Sequence, residues 1–393
     1  MIITRLYVDN LYGFQDFELD LTYPRKHSQP LLDFEYLEDV PAFKFKRVCI
    51  LMGTNASGKT SLGKILLGIQ WMLNGNSIIV PSILYDAVCN IDKSARIEIE
   101  FVFSKSNQFI SLSLEFLKNG KIVTIEHTAI TLNKSDSNIT AKNRLENQKE
   151  QDKLSRDLLN PIDSESDKIA EYYQDKEFSF YYVFAENHNN EIRPIRLSTE
   201  YDFEILLKIL KSFDCSIIDV APLKTTRKDD EDIIEGYTVF FENGDSVKVT
   251  DNGETFTQRS KNRFSKGTYD VLSVADFILS VIKNDFYSSI YFLDEKLSSS
   301  HSELEITILN LIIQKLNRYS QFFYTTHNYD VLDLNLPSHS FVFLHKEYGY
   351  CMAEQPEKLG FSKNDRTLKG YVRNNYFKTI PSTQFLDELI WGE

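Results

Sequence analysis

Residues 53–60 of the chain read Gly53-Thr54-Asn55-Ala56-Ser57-Gly58-Lys59-Thr60. The run fits the pattern of a glycine, four residues, a glycine, a lysine and a serine or threonine that is typical of a phosphate-binding loop. An apolar β-type segment precedes it at 47–52, and apolar residues at helical spacing follow it at 61–73. Strand, glycine-rich turn and helix is the context in which such a loop binds phosphate. The alternative is a chance match before an amphipathic helix, expected in roughly one such chain in a hundred.

The pattern predicts a role for each residue of the loop. Glycines let backbone N–H groups turn toward phosphate, and the helix that follows directs its positive end toward the same group. Lys59 would reach the β- and γ-phosphates, and the Thr60 hydroxyl would ligate Mg²⁺. The residues predicted to bind the nucleotide here are Gly53, Asn55, Ala56, Ser57, Gly58, Lys59, Thr60 and Ser61.

Composition narrows the class of protein. The 393 residues, 42% hydrophobic and 26% charged, are enough for one large or two ordinary globular domains. The four cysteines lack metal-type spacing, and neither a signal layout nor a membrane-length apolar run is visible, so we expect a cytoplasmic protein without membrane contact. The net charge of −13 argues against a broad nucleic-acid-coating surface and leaves a local basic groove open.

Periodicity predicts an antiparallel sheet around the loop. A strand pair is predicted at 2–8 and 17–21, and a meander of alternating strands at 95–103, 109–116 and 121–127. Residues 133–176 are dense in charged and amide side chains, which favours a solvated helical insertion or a mobile loop outside the core. A later hairpin is predicted to turn at Asn243-Gly244.

These features divide the chain into three predicted parts. They are an N-terminal lobe at 1–130 with the loop and the meander, a charged helical insertion at 131–235, and a C-terminal lobe at 236–393. The fold class is therefore expected to be α/β.

An apolar segment at 286–293 ends in Asp294-Glu295. In a phosphate-loop ATPase, Asp294 would hold Mg²⁺ and Glu295 would orient or deprotonate the attacking water. The alternative is a buried strand that ends in two acids by chance. Together with the loop, the two acids would complete one magnesium site, which favours the functional interpretation.

Two further segments carry candidate site residues. A predicted strand at 321–326 ends before His327, which would sense the γ-phosphate, although a single histidine is more often structural. Ser265 and Gly267 precede a helix predicted at 269–282, where a hydroxyl and backbone amides bind phosphate. The alternative there is that Ser265 or Thr268 only caps the helix.

Taken together, these motifs resemble the ABC-type ATPase heads of the SMC, RecF and OLD group, which includes AAA-family ATPases of bacterial anti-phage defence. The residues that carry the resemblance are Asn10 and Phe14, the loop at 53–60, Ser265-Lys266-Gly267-Thr268 as a signature, Asp294-Glu295, Ser300-His301, Thr326-His327-Asn328 and the closing segment 371–381. The resemblance covers most of the chain except about 130–235. The signature departs from the Leu-Ser-Gly-Gly form of transporters, and no glutamine-bearing loop is placed.

The resemblance implies an ABC-type head with an antiparallel β subdomain, and hydrolysis of ATP to ADP and phosphate with Mg²⁺ as cofactor. It also implies a homodimer or larger oligomer, in which Ser265 of one copy acts on ATP held by another. We expect a sensor or scaffold that controls a separately encoded nuclease or toxin. The reason is that only 66 residues (393 − 327) follow His327, too few for the metal-binding nuclease domain that OLD proteins carry. A RecF-like DNA-repair ATPase that binds DNA is the alternative, and a transporter subunit is poorly supported.

Overall fold

The computed structural model describes residues 1–23, 32–155, 162–174, 176, 179–185, 200–226, 232–250, 255–257, 266–283, 288–298, 300–359, 368–381 and 384–391. The strands are β1 (Ile2–Asp9), β2 (Phe17–Asp20), β3 (Val48–Gly53), β4 (Ala95–Phe103), β5 (Gln108–Phe116), β6 (Ile122–Thr131), β7 (Ser179–Val183), β8 (Ile217–Thr226), β9 (Asp232–Phe241), β10 (Ser246–Thr250), β11 (Thr255–Thr257), β12 (Ser289–Asp294), β13 (Gln321–Thr326), β14 (Phe341–Glu347) and β15 (Tyr350–Glu354).

The helices are α1 (Lys59–Leu73), α2 (Ser82–Tyr85), α3 (Asn138–Ser155), α4 (Ile162–Gln174), α5 (Glu200–Phe213), α6 (Lys266–Lys283), α7 (Ser302–Lys315), α8 (Leu368–Arg373) and α9 (Gln384–Trp391), with short 3₁₀ helices at Tyr329–Asp333 and Ser338–Ser340. The predicted α/β class is confirmed. Within the described ranges, no helix is both long and apolar enough to cross a membrane.

The chain forms two compact units. The first comprises Met1–Phe180, Phe286–Ile290 and Arg318–Glu393, and the second comprises Tyr181–Asp285 and Tyr291–Asn317. The division predicted at residues 130 and 235 stays a prediction.

A five-stranded antiparallel sheet of the first unit has the order β2-β1-β4-β5-β6. Its strands alternate buried apolar and more exposed polar residues, as in β4, where Ile97 and Ile99 are buried while Arg96 and Glu98 are partly exposed. One face of such a sheet packs on the core and the other meets solvent. The predicted strand pair and meander are therefore confirmed.

The loop at 53–60 leaves a second sheet of the first unit. Its order is β15-β14-β3-β13, and the first residues of β12 and β7 continue it on the β13 side. Strand β3 runs parallel to both neighbours and all six of its residues are buried, which is why its sequence is a continuous apolar run. Met52 pairs with Thr326, and Gly53 pairs with Leu344.

Helices α3 and α4 correct one expectation from composition. Residues 133–176 were expected to lie outside the core, yet Ala141 and Leu145 are fully buried in a cluster that includes Phe45 and Phe109. Their spacing of four residues puts both on one face of α3, so two apolar side chains are enough to anchor a helix that is otherwise polar. In the described part of this stretch α3 and α4 are helical, and Ala141 and Leu145 of α3 belong to the core.

The second unit contains a four-stranded antiparallel sheet of order β11-β10-β9-β8. The hairpin predicted at Asn243-Gly244 joins β9 and β10, and Gly244 has the positive φ of 82° that such a turn requires. Helix α6 packs Phe277 edge-on against Tyr291 of β12, with ring centroids 5.8 Å apart. This packing holds the strand that ends at Asp294.

A buried ion pair ties the start of β3 to the segment after β15. The side chains of Lys46 and Glu357 are buried and in contact, and Gln355 Nε2 donates to Glu357 Oε1 at 3.2 Å. Removing one partner leaves a buried charge uncompensated, so we expect Glu357→Ala to lower the free energy of unfolding by about 3–5 kcal/mol.

Urea denaturation followed by circular dichroism measures this loss. Lys358→Ala, which removes the exposed charge of the next residue, is the matched control and should change stability by less than about 1 kcal/mol. An equally small loss for Glu357→Ala would contradict the importance of the buried pair.

Candidate nucleotide-binding site

The loop between β3 and α1 is tightly wound. Gly58 has a φ of 98° and Ala56 a φ of 61°, both in the left-handed region. The Ser57 amide donates to the Thr54 carbonyl at 3.3 Å, and α1 begins at Lys59. Left-handed residues that alternate with right-handed ones are typical of backbone in which successive N–H groups turn to one side and bind an anion.

Neighbouring elements leave no room for side chains at the two loop glycines. A Cβ at Gly53 would lie 2.2 Å from the Leu344 carbonyl oxygen of β14. A Cβ at Gly58 would lie 2.9 Å from both Cys351 Sγ and Phe14 Cζ. The loop therefore rests directly on β14, on β15 and on the turn after β1. Burial raises the pKa of Cys351, which keeps this packing thiol neutral.

Lys59 lies inside the loop rather than in solvent. Its side chain is among the buried charged groups, with 4% of the residue exposed, and Nζ donates to the carbonyls of Gly53 and Thr54 at 2.9 Å each. The ammonium group therefore lies against the first two carbonyls of the loop.

The other loop residues differ in exposure. Thr60 and Ser61 are half-buried at the start of α1, and Asn55 and Ala56 are exposed at the tip of the loop. The Ser57 hydroxyl is buried, and among the described residues it has no hydrogen-bond partner. Buried polar atoms are normally paired, so an unpaired hydroxyl in this loop fits a site that receives a polar ligand.

The carboxyl end of β13 lies at the same end of the sheet as the loop, because β13 runs parallel to β3. Thr325 and Thr326 are buried, and His327 follows them as an exposed residue, one position beyond the pair of Thr326 with Met52. Asn328 Oδ1 accepts a hydrogen bond from the Asp330 amide at 3.0 Å and caps the 3₁₀ helix that follows. Ligands of parallel sheets bind outside the carboxyl ends of the strands, which is where His327 lies.

The turn after β1 supports the loop through Phe14, while Asn10 has a structural role. Asn10 Oδ1 accepts from the Asn90 amide at 2.7 Å, and its Nδ2 donates to the Asn90 carbonyl at 2.9 Å. The Gly13 carbonyl accepts from the Cys351 amide at 3.0 Å, which joins the turn to β15.

In the second unit, β12 ends at the two predicted acidic residues. Asp294 is fully buried, and its Oδ2 accepts from the Ala185 amide at 3.2 Å. Glu295 is half-buried with a φ of 51°, and its carbonyl accepts from Ser298 Oγ at 2.6 Å. A left-handed glutamate costs about 1–3 kcal/mol, and such strain is concentrated at functional sites.

The predicted signature is only partly described. Ser265 lies outside the described residues. Helix α6, predicted from residue 269, already includes Lys266, so Gly267 lies within the helix and not ahead of it. Helix α7 follows Asp294-Glu295 along the chain, and the ring of His301 accepts from the Glu303 amide at its start.

Oxygen donors at the predicted site can be compared with what Mg²⁺ requires. Across the described ranges, no three histidine, cysteine or acidic side chains cluster as a metal site. Mg²⁺ at nucleotide sites takes one or two protein oxygens and completes its shell with phosphate and water. The Thr60 hydroxyl and the Asp294 carboxylate are donors of that type.

Comparison with known proteins gives only distant structural neighbours. No protein-family model matches the chain, and no curated protein matches it. A solved SMC head bound to the C-winged helix domain of ScpA covers 92% of this chain and 99% of its own, at 11% identity and a TM-score of 0.46.

Two further SMC heads give similar values. The SMC head domain from Thermotoga maritima covers 90% of this chain and 99% of its own, at 14% identity and a TM-score of 0.41. The SMC head with an extended coiled coil bound to the C-terminal domain of ScpA, from Pyrococcus furiosus, covers 91% and 98%, at 9% identity and a TM-score of 0.48. With every TM-score below 0.5, these likenesses assign neither an activity nor a partner to this chain.

Sequence reasoning missed the elements beneath the loop. Strands β14 and β15 were not predicted, and Cys351 was considered only for its spacing from other cysteines. Its contact with the loop has no local motif, because it arises from a pairing between distant segments. The only available signal was the apolar run Phe341–Leu344.

The contact under Gly58 gives a testable stability effect. Gly58→Ala forces a Cβ into Cys351 and Phe14 and places alanine at a positive φ, so we expect a loss of about 2 kcal/mol in the free energy of unfolding. Urea denaturation measures the loss. Cys351→Ala removes one of the two colliding groups, so the double variant should lose less than the sum of the single variants. Strictly additive losses would rule out the contact.

Proposed function

We propose that this chain binds ATP with Mg²⁺, hydrolyses the ATP, and acts as a sensor or scaffold that controls a separately encoded nuclease or toxin in anti-phage defence. The observation that carries the nucleotide-binding part is the conformation of the loop at 53–60. Ala56 and Gly58 have positive φ, Lys59 Nζ donates to the carbonyls of Gly53 and Thr54, and neither Gly53 nor Gly58 has room for a side chain.

Each residue of the loop has a defined role in this function. The backbone amides and the Ser57 hydroxyl bind phosphate oxygens, and Lys59 exchanges the carbonyls of Gly53 and Thr54 for the β- and γ-phosphates. Thr60 and Asp294 supply oxygen ligands to Mg²⁺. The bound ion offsets the negative charge of the phosphates.

Hydrolysis needs an oriented water and a proton acceptor. Glu295 takes the proton of the water that attacks the γ-phosphorus, and the bond from that phosphorus to the bridging oxygen of ADP breaks. His327, exposed at the sheet edge beside the loop, donates a hydrogen bond to the γ-phosphate and so distinguishes ATP from ADP. The strained backbone of Glu295 supports a positioned carboxylate.

Lys59→Ala and Glu295→Gln should separate binding from hydrolysis. We expect Lys59→Ala to weaken ATP binding by at least about tenfold, because it removes a charged donor to phosphate. We expect Glu295→Gln to bind ATP normally and to hydrolyse it about 10²–10⁴-fold more slowly, because it removes the base. Calorimetric titration and phosphate release measure the two quantities.

Glu303→Gln is the control for the second variant, because it removes an exposed carboxylate of α7 in the same unit. Its turnover should equal that of the wild type. Normal turnover by Glu295→Gln would show that another group is the base.

We further propose that the active form is at least a homodimer, in which Ser265 and the amides around Gly267 of one copy bind ATP held by the other copy. This follows the resemblance to ABC-type heads. If the site is shared in this way, two inactive variants should recover activity when they are mixed, provided that each defect lies in a different half of the site.

Lys59→Ala and Ser265→Arg should each be inactive alone and recover activity when mixed. A mixed dimer keeps one intact site, so random exchange should restore roughly a quarter of wild-type turnover. Phosphate release after mixing measures this, and sedimentation of Glu295→Gln with ATP should show the dimer. A mixture that stays inactive although sedimentation shows mixed dimers would contradict the shared site.

The partner is tested by expressing the chain with its neighbouring genes. Co-purification of a nuclease or toxin that ATP binding or hydrolysis releases would support the proposed function. Binding of DNA that ATP stimulates and salt weakens, without such a partner, would instead favour a RecF-like repair ATPase.

A further inference from the structure

Lys346 lies on the strand next to the phosphate loop. Strand β14 pairs Leu344 with Gly53, and Lys346 is two residues further along, so both side chains lie on the same face of the sheet. Phe343 lies on the opposite face and stacks on Phe377 with ring centroids 4.0 Å apart. The register therefore places the Lys346 side chain on the same face of the sheet as Leu344. Along the strand, Lys346 lies two residues beyond the position of Gly53, where the loop begins.

The cross-strand neighbour of Lys346 identifies that face. Lys346 pairs with Cys351 of β15, so the two side chains lie side by side on one face. Cys351 Sγ is the atom that lies 2.9 Å from a Cβ at Gly58, so this face lies against the phosphate loop. The charge of Lys346 acts on Cys351 by lowering its pKa, against the larger effect of burial, which raises it.

The ammonium group of Lys346 is available for a ligand. Lys346 is exposed, and within the described residues it has neither an ion pair nor a hydrogen bond from its side chain. The adjacent Glu347 is engaged elsewhere, since its Oε2 lies 3.1 Å from Lys378 Nζ. Lys369, on α8 of the same unit, contacts Asp330 at 3.0 Å and Asp333 at 2.6 Å. Lys346 therefore differs from these paired lysines of the same unit.

We propose that Lys346 donates a charge-assisted hydrogen bond to the α- or β-phosphate of the nucleotide bound in the loop. These phosphates are common to ATP and ADP, and the backbone N–H groups of a phosphate loop bind them, whereas Lys59 serves the β- and γ-phosphates. The role of Lys346 rests on the proposed nucleotide site. It would make the affinity for ADP higher than the loop alone provides.

Lys346→Met keeps the length of the side chain and removes its charge. We expect it to weaken ATP and ADP binding by the same factor, about tenfold, because the lost contact is to a phosphate that both ligands share. Lys346→Arg should restore the affinity to within about threefold of the wild type, since guanidinium also binds phosphate. Calorimetric titration with ATP, ADP and adenosine measures the effect, and the affinity for adenosine should not change.

Lys121→Met is the matched control, because Lys121 is an exposed lysine in the turn between β5 and β6. It removes the same charge and should leave both affinities unchanged. Unchanged affinities for Lys346→Met, in a chain that binds ATP, would overturn only the role of Lys346. A loss confined to ATP, or a loss that arginine does not restore, would overturn it as well.

Failure of the proposed function has a different signature. If the wild-type chain binds neither ATP nor ADP, the nucleotide site itself is wrong, and the role of Lys346 is overturned with it. Thermal unfolding of each variant shows whether a lost affinity reflects a lost fold, and an exposed lysine should leave the melting temperature within about 2 °C of the wild type.

Discussion

The parallel pairing of β3 with β13 on one side and β14 on the other is the constraint on which the candidate site depends. All six residues of β3 are buried, so the strand cannot shift along its neighbours without moving apolar side chains and its final glycine out of place. This register sets the level at which the loop leaves the sheet. It also places His327 and Lys346 at the carboxyl end of the sheet, where the loop with Lys59 begins. Lys59 and His327 are brought to this end although they are 268 positions apart in the sequence (327 − 59).

The glycines of the loop serve packing as much as flexibility. At Gly53 the backbone of β14 occupies the space of a side chain, and at Gly58 the sulfur of Cys351 and the ring of Phe14 do so. The loop is thus supported by β14, β15 and the turn after β1. Support of this kind reduces the entropy that a loop loses when it binds a ligand, which is the physical meaning of a preorganised site.

Sequence patterns predicted the elements whose formation depends on neighbouring residues in the chain. The loop, β3, α1 and the antiparallel meander follow from glycine spacing and apolar periodicity, and the structure contains them all. The polar composition of 133–176 hid Ala141 and Leu145, because two apolar residues on one helical face contribute little to an average. Strands β14 and β15, and with them Cys351 and Lys346, were missed because their importance comes from pairing with distant segments. The role of Ser265 stays a prediction from the sequence, because the residue lies outside the described ranges.

The order of the strands has a consequence for biosynthesis. Met52 pairs with a residue 274 positions later (326 − 52), and Gly53 with one 291 positions later (344 − 53). Contacts this far apart close large loops of chain and form late in folding. While a ribosome is still making the middle of the protein, β3 has neither of its neighbours, and its apolar edges stay open to other chains. A strand so deeply buried at the end is therefore the segment most in need of protection at the start.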